Sequence, residues 1–199
     1  VITDEAINGL FAKLDTLTKE DILVLAGSIP NTLPEDIYEK ILARLESKGI
    51  RIVVDATKDL LLNVLKYHPF LIKPNNHELG EMFGTVCKTD EDIIHYAKKL
   101  QEMGAVNVLI SMAGDGAILI TEDGQNIKMG TPKGKVVNSV GAGDSMVAGF
   151  ITGYLNTKDM EKAFRLGVAA GSASAFSENL ATKREISEVL KRVEVTCKR

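Results

Sequence analysis

Short apolar runs alternate with helix-like segments through the first half of this chain, and few folds accept that alternation. Residues 21–26 form an apolar run ending at Gly27, which reads as a buried strand. Pro34 suits a first helical turn, Ile37, Ile41 and Leu45 follow at helical spacing, and Gly49 fits the stop. Residues 50–55 are a second, β-branched run, and residues 58–66 are again helix-like. Residues 70–73 read as a third strand and residues 77–83 as a short helix closed by Gly84. Thr89 opens a helix that runs to Met103 and stops at Gly104, before a strand over 106–111. A hairpin follows, with strands at 117–121 and 126–129 around Glu122-Asp123-Gly124. Residues 135–137 read as one more strand. Beyond them the chain is helical over 143–155 and 159–176, and Thr182-Lys183-Arg184-Glu185 is a capping-box pattern opening a last helix. Parallel strands need crossover connections, which helices supply. The expected fold is therefore α/β, a mostly parallel sheet with helices on both faces, forming a single domain over residues 1–199.

Composition removes several function classes. With 45% apolar and 26% charged residues, the chain reads as an ordinary globular protein. A net charge of -3 gives no overall basic footprint for nucleic acid or an anionic membrane. Trp is absent and aromatics are 5%, which argues against a base-stacking platform. No run approaches the ~20 apolar residues of a membrane span. Cys87 and Cys197 have no metal-like spacing and read as reduced thiols of a cytoplasmic protein. The start, Val1-Ile2-Thr3-Asp4, has no initiator Met and no signal pattern, and looks like a cut into a longer chain.

The stretch Asn138-Ser139-Val140-Gly141-Ala142-Gly143-Asp144-Ser145 carries the most chemistry. A glycine turn opens a helix, whose first N–H groups and partial positive charge favour an anion. Asp144 is the odd residue, because a carboxylate repels a phosphate. It makes sense as the acceptor of a proton from a hydroxyl that attacks a phosphoryl group. A helix capped through a Gly turn, with Asp placed to suit the dipole, is the plainer alternative.

Two further polar motifs follow strand-like runs, as does the Gly141 turn after 135–137, so all three are expected at the carboxyl edge of the sheet, where open α/β folds bind ligands. In Lys73-Pro74-Asn75-Asn76-His77-Glu78, Asn75 and Glu78 stand three apart at a helix start and can face the same way. An amide and a carboxylate suit Mg²⁺, which keeps several waters; an Asn cap beside an exposed Glu is the alternative. Lys73 can hold a phosphate as a point charge, or simply be solvated. The loop Ser111-Met112-Ala113-Gly114-Asp115-Gly116 is either a nucleotide contact or a tight turn. Other motifs are incomplete. Met129 stands where a Walker A motif needs its first Gly, Met146 replaces the third Gly of a dinucleotide fingerprint, and His77-Glu78-Leu79-Gly80-Glu81 lacks the second His of a zinc protease.

Together, Asn138-Ser139-Val140-Gly141-Ala142-Gly143-Asp144-Ser145, the Asn75-x-x-Glu78 pair and the 111–116 loop resemble, in order and spacing, the ribokinase-like (PfkB) carbohydrate kinases. Gly27-Ser28-Ile29-Pro30 and Gly167-Val168-Ala169-Ala170-Gly171-Ser172 are similar to its phosphosugar kinase branch. The resemblance implies a ribokinase-like fold. It implies Asp144 as catalytic base, with the amides of Gly141, Ala142 and Gly143 as an anion hole. Asn75 and Glu78 would organise Mg²⁺. Lys73 with Ser111, Met112, Ala113, Gly114, Asp115 and Gly116 would contact ATP, and Ser139, Val168 and Ser172 would line the nucleotide pocket. It also allows a monovalent cation near Asn138 and Ser174. The implied reaction takes ATP and D-fructose 1-phosphate to ADP and fructose 1,6-bisphosphate, with tagatose 6-phosphate and fructose 6-phosphate as alternative acceptors. A nucleotide-binding module without turnover is the competing class. The family pattern has Gly where this chain has Ala113. Its N-terminal third, with most sugar-binding residues and a β-lid that often forms a homodimer interface, has no counterpart here. Exposed sheet edges, reduced stability and little or no turnover are the expected consequences.

Overall fold

The computed structural model describes residues 2–198; residues 1 and 199, the ends of the expected single domain, lie outside the described residues. The chain divides into two compact units, Val1–Val108 and Leu109–Arg199.

The first unit runs α1 (Asp4–Asp15), β1 (Ile22–Ala26), α2 (Ile37–Leu45), β2 (Arg51–Asp55), α3 (Lys58–Val64), β3 (Leu71–Ile72), α4 (Asn76–Met82), α5 (Asp90–Glu102) and the start of β4 (Asn107–Ser111). The strands here pair in parallel: Ile22 to Ala26 with Arg51 to Asp55, Val53 and Val54 with Leu71 and Ile72, and those two with Asn107 and Val108. Ile52, Val53, Val54, Leu71 and Ile72 are all buried, which is why these strands read as continuous apolar runs. On α2, Ile37, Ile41, Leu42 and Leu45 form the buried stripe that the spacing predicts. Ile93, Ala97 and Leu100 are the buried residues of α5, which opens with a capping box between Thr89 and Asp92. A cap of this kind stabilises a helix by about 1 kcal/mol.

Two expectations change here. The 21–26 run is a strand but only Leu25 of it is buried: among the described residues β1 pairs with β2 alone, and Val24 is 41% exposed. An edge strand leaves one row of backbone groups and part of its side chains uncovered. Residues 4–15, unassigned from the sequence, form a helix capped by Thr3, with Leu14 its one buried residue.

The second unit holds the end of β4, β5 (Ala117–Ile120), β6 (Asn126–Met129), α6 (Ala142–Thr157), α7 (Met160–Ala175), α8 (Lys183–Leu190) and β7 (Val195–Lys198). The hairpin forms as expected, with Ala117 to Ile120 antiparallel to Met129 to Asn126. β7, which the sequence reading missed, adds to β6 antiparallel with a register shift at Lys128/Met129. Residues 135–137 are not a strand. The N–H groups of Val137 and Asn138 both donate to the Ala175 carbonyl, at 2.8 and 3.2 Å, so the segment is held to the end of α7 instead.

Helices α6 and α7 pack through small residues. A Cβ on Gly149 would lie 2.7 Å from the Leu166 carbonyl oxygen and from the Ala170 Cβ. One on Gly153 would lie 2.7 Å from the Ala163 Cα, and one on Gly171 3.0 Å from the Ala142 carbonyl oxygen. Glycine here sets interhelical distance, since each Cβ would meet backbone or a rigid methyl. Among the described residues, no helix is long and apolar enough to cross a membrane.

Candidate functional site

The expected site residues fall into two sets, one in each unit, and each set is described within its own unit.

In the first unit, Lys73 follows β3 directly. It is not solvated: it is 7% exposed, and its Nζ lies 3.2 Å from Asp55 Oδ2 at the end of β2. The register that places Val54 beside Ile72 brings the two side chains together. Backbone bonds tie the strand ends, with the Gly27 N–H donating to the Asp55 carbonyl at 3.0 Å and the Lys73 N–H to the Val54 carbonyl at 3.2 Å. The Tyr38 hydroxyl bonds the Ala26 carbonyl at 2.9 Å, and burial, then the Asp55 charge, pushes its pKa above the usual phenol value. Neither Asp55 nor Tyr38 carries a sequence signal for this role; only the strand register reveals it.

Asn75 and Glu78 do lie together, at the start of α4, in a reciprocal capping box. The Glu78 N–H donates to Asn75 Oδ1 and the Asn75 N–H to Glu78 Oε2, both at 2.8 Å. Glu78 Oε1 stands outside that box. Among the described residues, no group of three or more His, Cys, Asp and Glu is placed to hold a metal ion. One free carboxylate oxygen fits Mg²⁺, which uses few protein ligands, better than it fits a cation caged by protein.

A cleft of about 660 Å³ in this unit, lined by Phe11, Ala12, Ala43 and the Asp15–Arg44 pair among others, contains none of the expected residues. Arg44 already donates two bonds to Asp15, at 2.8 and 2.6 Å, so the charged pair of this cleft is satisfied within itself. The residue chemistry at the strand ends outweighs the size of this hollow.

In the second unit, Gly141 caps α6 at φ +77°, a left-handed conformation that favours glycine, and any side chain would also meet Leu180 at 2.7 Å. The first intrahelical bond runs from the Ser145 N–H to the Gly141 carbonyl at 2.9 Å. The Gly143 and Asp144 amides therefore have no intrahelical acceptor, whereas the Ala142 N–H donates to the Ser139 carbonyl at 3.2 Å. Asp144, third residue of the helix, is exposed, with no hydrogen bond or ion pair to another described residue. Asn138 braces the turn, accepting from the Val140 N–H and donating to the Glu178 carbonyl, both at 3.1 Å. Ser174 Oγ donates to Ser145 Oγ at 2.8 Å and accepts from the Ala181 N–H at 3.1 Å. Val168 and Ser172 are buried on α7, and Ser139 is exposed in the turn.

Residues 111–116 connect β4 to β5 as a tight turn. The Met112 N–H donates to the Gly116 carbonyl at 2.8 Å, and the Ala113 carbonyl accepts from Thr131 Oγ1 at 2.8 Å. Ala113, Gly114 and Asp115 are exposed, and Ala113 sits at φ +48°.

With this geometry in hand, comparison with known proteins gives a consistent result. The model of the pfkB family carbohydrate kinases matches residues 1–186. The chain is 49% identical over 195 residues to the 1-phosphofructokinase of Bacillus subtilis (strain 168), covering 98% of this chain and 64% of that one. A Staphylococcus aureus crystal structure with a provisional phosphofructokinase label superposes with a TM-score of 0.93 at 43% identity, over 98% of this chain and 63% of that one. The ribokinase of Arabidopsis thaliana, solved with ribose and ATP, shares the fold at a TM-score of 0.74 and 20% identity, over 96% of this chain and 60% of that one. The α/β ribokinase-like fold expected from the sequence is thus present, and the chain spans less than two thirds of the length of each relative.

Proposed function

The chain belongs to the pfkB family of carbohydrate kinases, and on that footing we propose that it transfers a phosphoryl group from ATP to a sugar phosphate, D-fructose 1-phosphate, giving ADP and fructose 1,6-bisphosphate. Asp144 accepts the proton of the attacking hydroxyl, and the amides of Gly141 and Gly143 face the transferring group, with that of Ala142 joining them only on giving up its bond to the Ser139 carbonyl. Lys73 and residues 111–116 contact ATP, while Ser139, Val168 and Ser172 line its pocket. Asn75 and Glu78 organise Mg²⁺, partly through water; bound there, the ion offsets phosphate charge. Asn138 and Ser174 stand near a monovalent-cation position. The two free cysteines, Cys87 and Cys197, fit a reducing, cytoplasmic setting, and a homodimer is the assembly proposed for the full-length protein.

The observation that carries this reading is the Asp144 carboxylate, exposed and unpartnered in the first turn of a 16-residue helix that starts at a left-handed glycine. A pure binding site has no use for an anion beside its ligand's phosphates, whereas a base must be free to take a proton.

ADP release measured with MgATP and, in turn, fructose 1-phosphate, tagatose 6-phosphate and fructose 6-phosphate tests it. Fructose 1-phosphate giving the highest kcat/KM supports the proposal. A different preferred acceptor keeps the mechanism and changes the substrate. MgATP binding with no turnover on any of the three favours the nucleotide-binding module, a reading in keeping with the fraction of the relatives' length that the chain spans.

A further inference from the structure

We infer that Asp55 is a positioning residue for Lys73, holding its ammonium at the carboxyl end of β3 so that the charge is in place before a nucleotide's phosphates arrive. The inference rests on the proposed role of Lys73 in contacting ATP. Four observations carry it. The pair is close, at 3.2 Å, and the side chains are only 8% and 18% exposed, so solvent screens it little. The register fixes Asp55 beside Lys73, because Val54 pairs with Ile72. The Asp55 backbone is itself held, its carbonyl accepting from the Gly27 N–H at 3.0 Å. Lys73 is followed by buried Pro74 and then by Asn75 in the capping box of α4, so the main chain on its far side is also fixed.

A lysine side chain is long and loses much rotamer freedom when it is pinned. Asp55 does that pinning in the folded protein, so a phosphate meets an ammonium already ordered. Removing the carboxylate has two opposed effects. It frees the ammonium, which weakens phosphate binding, and it removes an anion near the phosphates, which strengthens it. A phosphate that bonds the ammonium directly lies nearer to it than to the like-charged Asp55 carboxylate, so repulsion by Asp55 is the smaller electrostatic effect and the loss of order decides the sign.

The test is isothermal titration of MgATP into the chain and into Asp55→Asn, Lys73→Met and the double variant. Lys73→Met should bind at least about tenfold more weakly. Asp55→Asn should bind about three- to tenfold more weakly, with no further weakening when Lys73 is already Met. If Asp55→Asn does not fold, Asp55→Glu keeps the charge but displaces the tether, and should also bind more weakly. Affinity at or above wild type in the Asp55 variant overturns the inference. So does an equal loss in both backgrounds, since that loss acts through the fold and not through Lys73. A wild-type chain that takes up no MgATP removes the ATP-binding reading and this inference with it, an outcome distinct from normal uptake without coupling.

Discussion

Ser174 on α7 donates its hydroxyl to Ser145 on α6 at 2.8 Å, one residue past Asp144, and accepts from the Ala181 N–H at 3.1 Å. One buried hydroxyl, 3% exposed, thus joins the first turn of α6, the end of α7 and the segment leading to α8. Ser174→Ala leaves the Ala181 N–H and the Ser145 hydroxyl short of a partner, and should destabilise the protein by about 1–3 kcal/mol. Adding Ser145→Ala should cost little more, because the shared bond is already gone. Urea unfolding of both single variants and the double variant checks this; fully additive losses would show that the two hydroxyls act separately.

Gly149→Ala sets helix propensity against packing. Alanine is favoured over glycine inside a helix by about 1 kcal/mol. The added methyl would lie 2.7 Å from the Leu166 carbonyl oxygen and the Ala170 Cβ, and neither can swing away. Overpacking of this kind costs about 1–3 kcal/mol, so the variant should melt lower than wild type. A higher melting temperature would mean that α6 and α7 separate easily.

Ala113 holds φ +48° in the β4–β5 turn. The left-handed conformation costs a side-chain-bearing residue about 1–2 kcal/mol, and glycine's extra freedom when unfolded costs about 0.5–1 kcal/mol. Ala113→Gly should therefore stabilise the protein by about 0.5–1 kcal/mol, while Ala113→Val, branched at Cβ, should destabilise it. Thermal melts of the two variants should move in opposite directions.

Acid sensitivity follows from the helix caps. Backbone N–H bonds from Lys88 and Thr89 hold the Asp92 carboxyl below its usual range, and bonds from Thr182 do the same for Glu185. Both groups bind protons less readily folded than unfolded. The stability they add is present above the unfolded values, about 3.9 and 4.3, and is lost as pH falls through the depressed folded values. Asp92→Asn should be less stable than wild type at neutral pH, with the gap closing below about pH 4. Melting curves across that range check it; a gap of constant size would assign the loss to packing.

Local signals were legible in the sequence wherever they were strong. The helix start at Thr89, the Thr182 capping box, the hairpin turn at residues 122–124 and the stripe Ile37-Ile41-Leu45 all appear as read. Misreadings fall where a partner distant in sequence decides. Val136 and Val137 look like a strand, but their segment bonds to Ala175. β7 is exposed along most of its length and exists through its pairing with β6. The helix over 4–15 had a legible start in Thr3 followed by Asp4 and Glu5, and was hidden by having a single buried residue, Leu14. In the candidate site the Gly141 turn and the Asn75–Glu78 pair could be read directly. The burial of Lys73 against Asp55 could not, because it depends on the register of two strands.

The central claim is that Asp144 takes a proton during phosphoryl transfer, and the most direct test compares Asp144→Asn with wild type in two assays: MgATP affinity by titration, and ADP release with fructose 1-phosphate as acceptor. A base acts on the transition state, so the account predicts turnover reduced by about 10²–10⁴-fold with MgATP affinity unchanged or tighter. Turnover within a few-fold of wild type, or a loss that appears only as weaker MgATP binding, would contradict it.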